Sequence, residues 1–95
     1  MNIQISERIV KSLIEFGVKE FIVCAGARNA PLVKVLEATN NIKVYSFFEE
    51  RSAAFFGLGC SKRSGCPVAV VTTSGTAAAE LLPAMIEGYY SSTAL

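Results

Sequence analysis

The chain has 95 residues, of which 52% are hydrophobic and 18% are charged, and its formal net charge is +1. This length allows one domain, and the composition excludes an intrinsically disordered chain, which needs low hydrophobicity and high net charge. The near-neutral balance argues against nucleic acid as a partner, because duplex binding depends on clustered lysines and arginines. The sequence contains no histidine, which excludes a Ser-His or Cys-His catalytic pair within these residues.

The acidic residues and the cysteines indicate which metal sites and which thiol chemistry to expect. All eight acidic residues are glutamates, whereas carboxylate cages for magnesium or calcium usually include aspartate, so we expect no metal site within the chain. The three cysteines Cys24, Cys60 and Cys66 lack CxxC spacing, which favours buried thiols in a reducing cytoplasm. No signal peptide is predicted, and no apolar run approaches the roughly 20 residues of a membrane span.

Four helices and three strands are predicted to alternate along the chain. The first helix covers residues 2–16, where an apolar stripe contains Ile5, Ile9 and Leu13, and where Asn2 or Ser6 can cap the start. The following elements are a strand at 21–25, a helix opened by Asn29 and Pro31, a strand at 42–48, a helix at 51–62, a strand at 68–73, and a helix at 77–90 that Pro83 bends.

This alternation predicts an α/β fold, a three-layer doubly wound parallel sheet with right-handed crossovers. Three parallel strands leave an apolar edge that native domains normally cover, and a further strand is expected where the sequence ends at Leu95. We therefore expect residues 1–95 to be the amino-terminal part of a larger domain, truncated after the fourth helix.

Open parallel sheets bind ligands beyond the carboxyl ends of their strands. Residues 26–29, 49–51 and 73–76 follow the three predicted strands, and Gly26 and Gly75 permit close backbone approach. Ordinary strand-to-helix turns give the same pattern, and neither GxxxxGK[ST] nor GxGxxG occurs. The pattern alone therefore leaves open whether these turns form a site.

Glu50 has two interpretations from its position between an aromatic strand and an apolar helix. Partial burial would favour a protonated carboxyl, as a group that shares a proton with a ring nitrogen requires. The alternative is a solvated glutamate in the first turn of a helix, favoured by the helix dipole and paired with Arg51. The sequence does not decide between them.

Three motifs follow one another along the chain: CAGARNAPL at 24–32, FEER followed by AFFGLG at 48–59, and PVAVVTTSGTA at 67–77. In this order and spacing they resemble the amino-terminal part of thiamine-diphosphate-dependent enzymes, and in particular the carboligases of menaquinone biosynthesis. The resemblance implies a pyrimidine-binding domain about twice this length, with an active site between subunits of a homodimer or homotetramer. Magnesium or manganese would be held by a separate diphosphate-binding domain.

The resemblance also assigns roles to individual residues. Glu50 matches the cofactor-activating glutamate, which hydrogen-bonds N1′ of the aminopyrimidine ring. Gly26, Ser74, Gly75 and Thr76 match the cofactor-binding loops, whereas Ala27 and Arg28 match substrate-binding positions. The implied reaction decarboxylates 2-oxoglutarate and adds the resulting carbanion to isochorismate, and the chain alone is expected to be inactive.

Several positions depart from the family pattern, whose first loop usually reads PGSRSTP. Ala27 removes a hydroxyl that would help to bind substrate, Glu49 replaces the common aspartate, and Glu80 stands where asparagine is usual. Two alternatives remain: another thiamine-diphosphate enzyme, such as a 2-oxo-acid decarboxylase or an acetolactate-synthase-like enzyme, and a non-enzymatic flavodoxin-like binding module with Glu50 exposed. The SGT loop, in place of SGP, favours the menaquinone carboligase.

Overall fold

A computed structural model describes residues 2–95 as a three-stranded parallel sheet flanked by helices. Its elements are α1 (Ile3–Glu15), β1 (Glu20–Val23), α2 (Ala30–Glu37), β2 (Lys43–Ser46), α3 (Glu50–Ser64), β3 (Val68–Val71), α4 (Thr76–Ala79) and α5 (Leu82–Tyr90). The strand order is β2-β1-β3, and both neighbouring pairs are parallel. The predicted doubly wound α/β class is confirmed.

The central strand β1 is buried along its whole length because both faces of the sheet are covered. Phe21 and Val23 pack in one apolar cluster with side chains of α1 and α2, including Val10 and Leu36. Ile22, which points to the opposite face, packs in a second cluster with side chains of α3. Coverage on both sides explains why this strand is continuously apolar rather than alternating.

A polar network closes the amino end of the sheet. The carboxylate of Glu20, only 7% exposed, receives Arg63 Nη2 at 2.9 and 3.0 Å and the hydroxyl of Tyr45 at 3.1 Å. Because these groups come from β1, the end of α3 and β2, they fix one end of the sheet. The Glu20 network lies at the amino end of the sheet, away from the loops that follow the strands. We therefore assign it to the stability of the fold.

The segment predicted as the last helix forms two separate helices in the structure. Residues 77–90 were expected to form one bent helix, but α4 ends at Ala79 and α5 begins at Leu82. Pro83 lies in the first turn of α5, where its missing N–H is not needed. The proline therefore starts a new helix instead of bending an existing one.

Residues 93–95 lie beside the outer edge of β3, where the amide of Val68 donates to the carbonyl of Ala94 at 3.2 Å. Ser61 Oγ is 2.7 Å from the same carbonyl oxygen. Cys24 and Cys60 are buried free thiols, as predicted, whereas Cys66 is partly exposed. Within residues 2–95, no helix is both long enough and apolar enough to span a bilayer.

Candidate functional site

The loop between β1 and α2 is held by the side chain of Asn29. Its Oδ1 accepts the amide of Gly26 at 2.8 Å, and its Nδ2 donates to the carbonyl of Cys24 at 3.0 Å. Asn29 occupies the N-cap position of α2, but its side chain makes no capping hydrogen bond. The sequence expectation that Asn29 and Pro31 open α2 is therefore right in position, whereas capping by the Asn29 side chain is wrong because that side chain folds back over the loop.

The loop after β1 contacts the loop after β3 at Gly26. A Cβ atom built on Gly26 would lie 2.9 Å from the Cβ of Thr73 and 3.3 Å from each of its two outer atoms. Glycine is thus required for the close approach of the two loops. The amide of Gly26 already donates to Asn29. The contribution of Gly26 to this edge is therefore its lack of a side chain, which allows the contact with Thr73.

The loop after β3 contains Ser74, Gly75 and Thr76, which are exposed. Gly75 has φ 78° and ψ −140° and directly precedes α4. This backbone conformation is essentially restricted to glycine. The sharp turn leaves an open backbone surface next to the loop that contains Gly26.

Glu49 caps the helix that follows β2. Its carboxylate accepts the amides of Arg51 and Ser52, each at 3.0 Å, and the hydroxyl of Ser52 at 2.6 Å. The hydrogen bonds from Ser52, followed by that from Arg51, lower the pKa of Glu49. An ionised residue at this position satisfies the free amides of the first turn.

Glu50 is the first residue of α3, and it is half-buried. Within residues 2–95, its carboxylate forms no hydrogen bond or salt bridge with another side chain, so the predicted alternative of a pair with Arg51 does not occur. Burial raises the pKa of the Cys24 thiol, and the negative charges of Glu50 and Glu49 raise it further. Since Cys24 directly follows β1, Glu50 lies at the carboxyl edge of the sheet.

The remaining predicted site residues are exposed at the same edge. Ala27 and Arg28 lie at the tip of the loop after β1, and Glu80 follows α4. A small cleft of about 180 Å³ opens between the ends of β1 and β2 and is lined in part by Ala25 and Phe48. No group of three or more metal-ligating side chains occurs in the part of the chain that the structure describes.

Sequence reasoning missed the two residues that hold these loops in place. Asn29 was assigned to the helix start, and Glu49 was treated as a mild substitution. The signal for Asn29 was its residue type, because asparagine often binds backbone groups of its own turn. The signal for Glu49 was its position directly before a helix that contains Ser52 at the third helical residue.

The fold is a parallel α/β domain whose strand-end loops lie together at one edge of the sheet, and comparison with known proteins specifies the family. The family model described as "Thiamine pyrophosphate enzyme, N-terminal TPP binding domain" matches residues 3–95. The chain therefore belongs to this family. Thiamine pyrophosphate is the same compound as thiamine diphosphate.

The chain is also similar to curated proteins named 2-succinyl-5-enolpyruvyl-6-hydroxy-3-cyclohexene-1-carboxylate synthase. The protein from Bdellovibrio bacteriovorus is 56% identical over 94 residues, which are 99% of this chain and 18% of that protein. The proteins from Akkermansia muciniphila and Halobacterium salinarum are 60% and 51% identical over 78% and 83% of this chain, and over 14% of each relative. The chain thus spans less than a fifth of the length of these relatives.

Proposed function

We propose that residues 1–95 form the amino-terminal part of the pyrimidine-binding domain of a thiamine-diphosphate-dependent carboligase. The enzyme decarboxylates 2-oxoglutarate and adds the resulting succinyl group to isochorismate, a step of menaquinone biosynthesis in the cytoplasm. The family match and the names of the similar proteins support this proposal. The observation that carries it is the half-buried carboxyl of Glu50 at the carboxyl edge of the sheet.

The residues of this edge fit the aminopyrimidine half of the cofactor. A ring nitrogen needs a carboxyl group that is partly shielded from water and is not committed to a protein partner. Glu50 meets both conditions in residues 2–95, because Glu49 binds the free amides of the helix in its place. Glu50 would hold a proton on the ring nitrogen, and thiamine diphosphate, when bound, supplies the carbanion chemistry of decarboxylation.

The neighbouring loops would orient the ligands. Gly26 allows the two loops to come into contact, and Gly75 provides the positive-φ turn that places Ser74 and Thr76 at the surface. Arg28 is exposed and extends from the loop after β1, where a guanidinium can bind a substrate carboxylate through two parallel hydrogen bonds. Ala27, next to it, would contact the substrate without offering a hydrogen bond.

The whole enzyme requires parts that residues 1–95 do not contain. We propose that magnesium or manganese is bound through a diphosphate-binding domain and that the site is completed in a homodimer or homotetramer. Isolated residues 1–95 should then have no carboligase activity. Measurable turnover of 2-oxoglutarate by these residues alone would contradict that part of the proposal.

The decisive test is the Glu50→Gln variant of the full-length enzyme, with Glu37→Gln as the matched control on the exposed end of α2. General acid–base assistance typically contributes 10²- to 10⁴-fold, so kcat should fall by about this factor in Glu50→Gln, whereas Glu37→Gln should resemble the parent. Cofactor binding, measured by calorimetry, should persist. Unchanged turnover in Glu50→Gln would remove the basis for the assignment.

The choice of donor substrate is tested separately, because Ala27 departs from the family loop. The parent enzyme is assayed for carbon dioxide release from 2-oxoglutarate and from pyruvate at equal concentrations. Preference for 2-oxoglutarate supports the proposed carboligase. Preference for pyruvate would indicate an acetolactate-synthase-like enzyme instead.

A further inference from the structure

The side chain of Asn29 links both ends of the loop that presents Arg28. Asn29 is 4% exposed, and its amide group binds the backbone at Gly26 and at Cys24. One side chain therefore bridges residues 24–29. The exposed residues Ala27 and Arg28 lie between Gly26 and Asn29, inside the turn that these hydrogen bonds close.

Both attachment points are themselves fixed to the sheet or to the second loop. The amide of Cys24 donates to the carbonyl of Val71, the last residue of β3, at 2.9 Å. Gly26 lies directly against Thr73 in the loop after β3. Through its side chain, Asn29, which follows Arg28, is thus tied to Cys24 and Gly26, which precede Arg28 and are themselves held against β3 and the loop after it.

Arg28 itself is exposed and forms no side-chain hydrogen bond or salt bridge within residues 2–95. An exposed arginine has many rotamers, and ordering it on a ligand lowers affinity. A fixed backbone limits the directions in which its guanidinium can extend. Without the Asn29 hydrogen bonds, the backbone of the loop would also have to be ordered when substrate binds.

We infer that Asn29 is a positioning residue, which acts through Arg28 on the affinity for a carboxylate substrate and not on the chemical step. This inference rests on the proposed function, because it needs Arg28 to bind the substrate carboxylate. It extends the proposal by assigning a substrate-affinity role to a residue that does not reach the ligand.

The test is a double-mutant cycle in the full-length enzyme, with Asn29→Ala, Arg28→Ala and the double variant. Loss of two hydrogen bonds at about 1 kcal/mol each corresponds to a factor of roughly ten to thirty. We therefore expect the KM for 2-oxoglutarate to rise about tenfold or more in Asn29→Ala, with kcat within about threefold of the parent. The double variant should have the same KM as Arg28→Ala, because Asn29 acts only through that residue.

Two further variants control the interpretation. Asn40→Ala replaces an exposed asparagine in the turn after α2, and it should leave both kcat and KM unchanged. Asn29→Asp keeps an acceptor for the Gly26 amide but loses the donor to Cys24, so it should raise KM less than Asn29→Ala. If Asn29→Ala does not fold, the KM of Asn29→Asp decides the question.

A measurement without substrate tests the structural premise. Hydrogen exchange of the Gly26 amide should be at least about tenfold faster in Asn29→Ala than in the parent, because its acceptor is lost. Unchanged exchange would overturn the inference. Equal losses of kcat with an unchanged KM, or additive effects in the double variant, would overturn it as well.

Failure of the proposed function gives a different result. In that case the parent enzyme shows no thiamine-diphosphate-dependent release of carbon dioxide from 2-oxoglutarate, and Arg28→Ala has no effect to modify. If the parent is active and Arg28→Ala raises KM while Asn29→Ala does not, only the inference about Asn29 is wrong.

Discussion

Gly26→Ala is expected to destabilise the fold, because the added methyl group has no room beside Thr73. The Cβ atom would lie 2.9 Å from the Cβ of Thr73 and 3.3 Å from its Cγ2 and Oγ1 atoms. The nearest atom is attached to the backbone, so a change of rotamer cannot relieve the contact, and the two loops must separate. Overpacking of this kind costs about 1–3 kcal/mol.

Urea unfolding of the chain, followed by circular dichroism, measures this cost. With a slope of about 1–2 kcal/mol per molar urea, the midpoint of Gly26→Ala should fall by about 1 M. Gly59→Ala is the matched control, since nothing lies within 4 Å of a Cβ at that position in α3. Its midpoint should rise slightly, because alanine favours a helix by about 0.5–1 kcal/mol over glycine.

Variants at Thr73 identify the atom responsible. Thr73→Gly removes the Cβ, so Gly26→Ala should cost almost nothing further in that background. Thr73→Ala retains the Cβ, and the cost of Gly26→Ala should persist there. The steric account fails if the midpoint of Gly26→Ala equals that of the parent, or if its loss is the same in all three backgrounds.

Three further predictions concern charged and thiol groups. The raised pKa of Cys24 should make its alkylation by iodoacetamide slow at pH 8, and Glu50→Gln should lower that pKa, because one of the negative charges that raises it is removed. Stability contributed by this protonated thiol should be present below the unfolded-state pKa and be lost as the pH rises above it. The pKa of the Glu49 carboxyl should lie below the ordinary range of a glutamate in an NMR titration, so the stability from its cap is present above the unfolded-state pKa and is lost as the pH falls through the lowered pKa. Arg63→Met should lower the urea midpoint, because the buried carboxylate of Glu20 keeps only one hydrogen-bond donor, and an unchanged midpoint would show that the pair is not stabilising.

Local pattern was sufficient to predict the fold class, because apolar helix faces alternate along the chain with short apolar strands. The stripe predicted for α1 is only partly right, since Val10 is buried with Leu13 packed against it, whereas Ile5 and Ile9 are exposed. In α2, Leu32 and Leu36 are buried. The strands were predicted too long at their carboxyl ends, at 21–25, 42–48 and 68–73, whereas they end at Val23, Ser46 and Val71. Hydrophobicity continues beyond Val23 and Ser46, but the paired ladder ends there because each strand is limited by its neighbour.

The three segments that follow the strands were predicted as well, whereas the contacts between them were not. Gly26 meets Thr73 only because β1 and β3 are adjacent in the sheet, and that adjacency follows from the order β2-β1-β3. No local pattern in the sequence indicates that β1 and β3 are neighbours in the sheet. The glycine at position 26 indicated a close approach of the backbone, but the sequence did not identify Thr73 as the residue that it approaches.

The sequence also did not show which of the neighbouring residues Glu49 and Glu50 would cap α3. This difference is central to the proposed site. Glu49 and Glu50 have the same side chain, but α3 begins at Glu50, so Glu49 takes the N-cap position and binds the free amides. Had α3 begun one residue later, as the sequence predicted, Glu50 would occupy the N-cap position, and its carboxylate would bind the free amides of the first turn. A carboxyl that shares a proton with a ligand must not be committed in that way. The start of α3 therefore determines that Glu50, and not Glu49, has the uncommitted carboxylate that the proposed function requires.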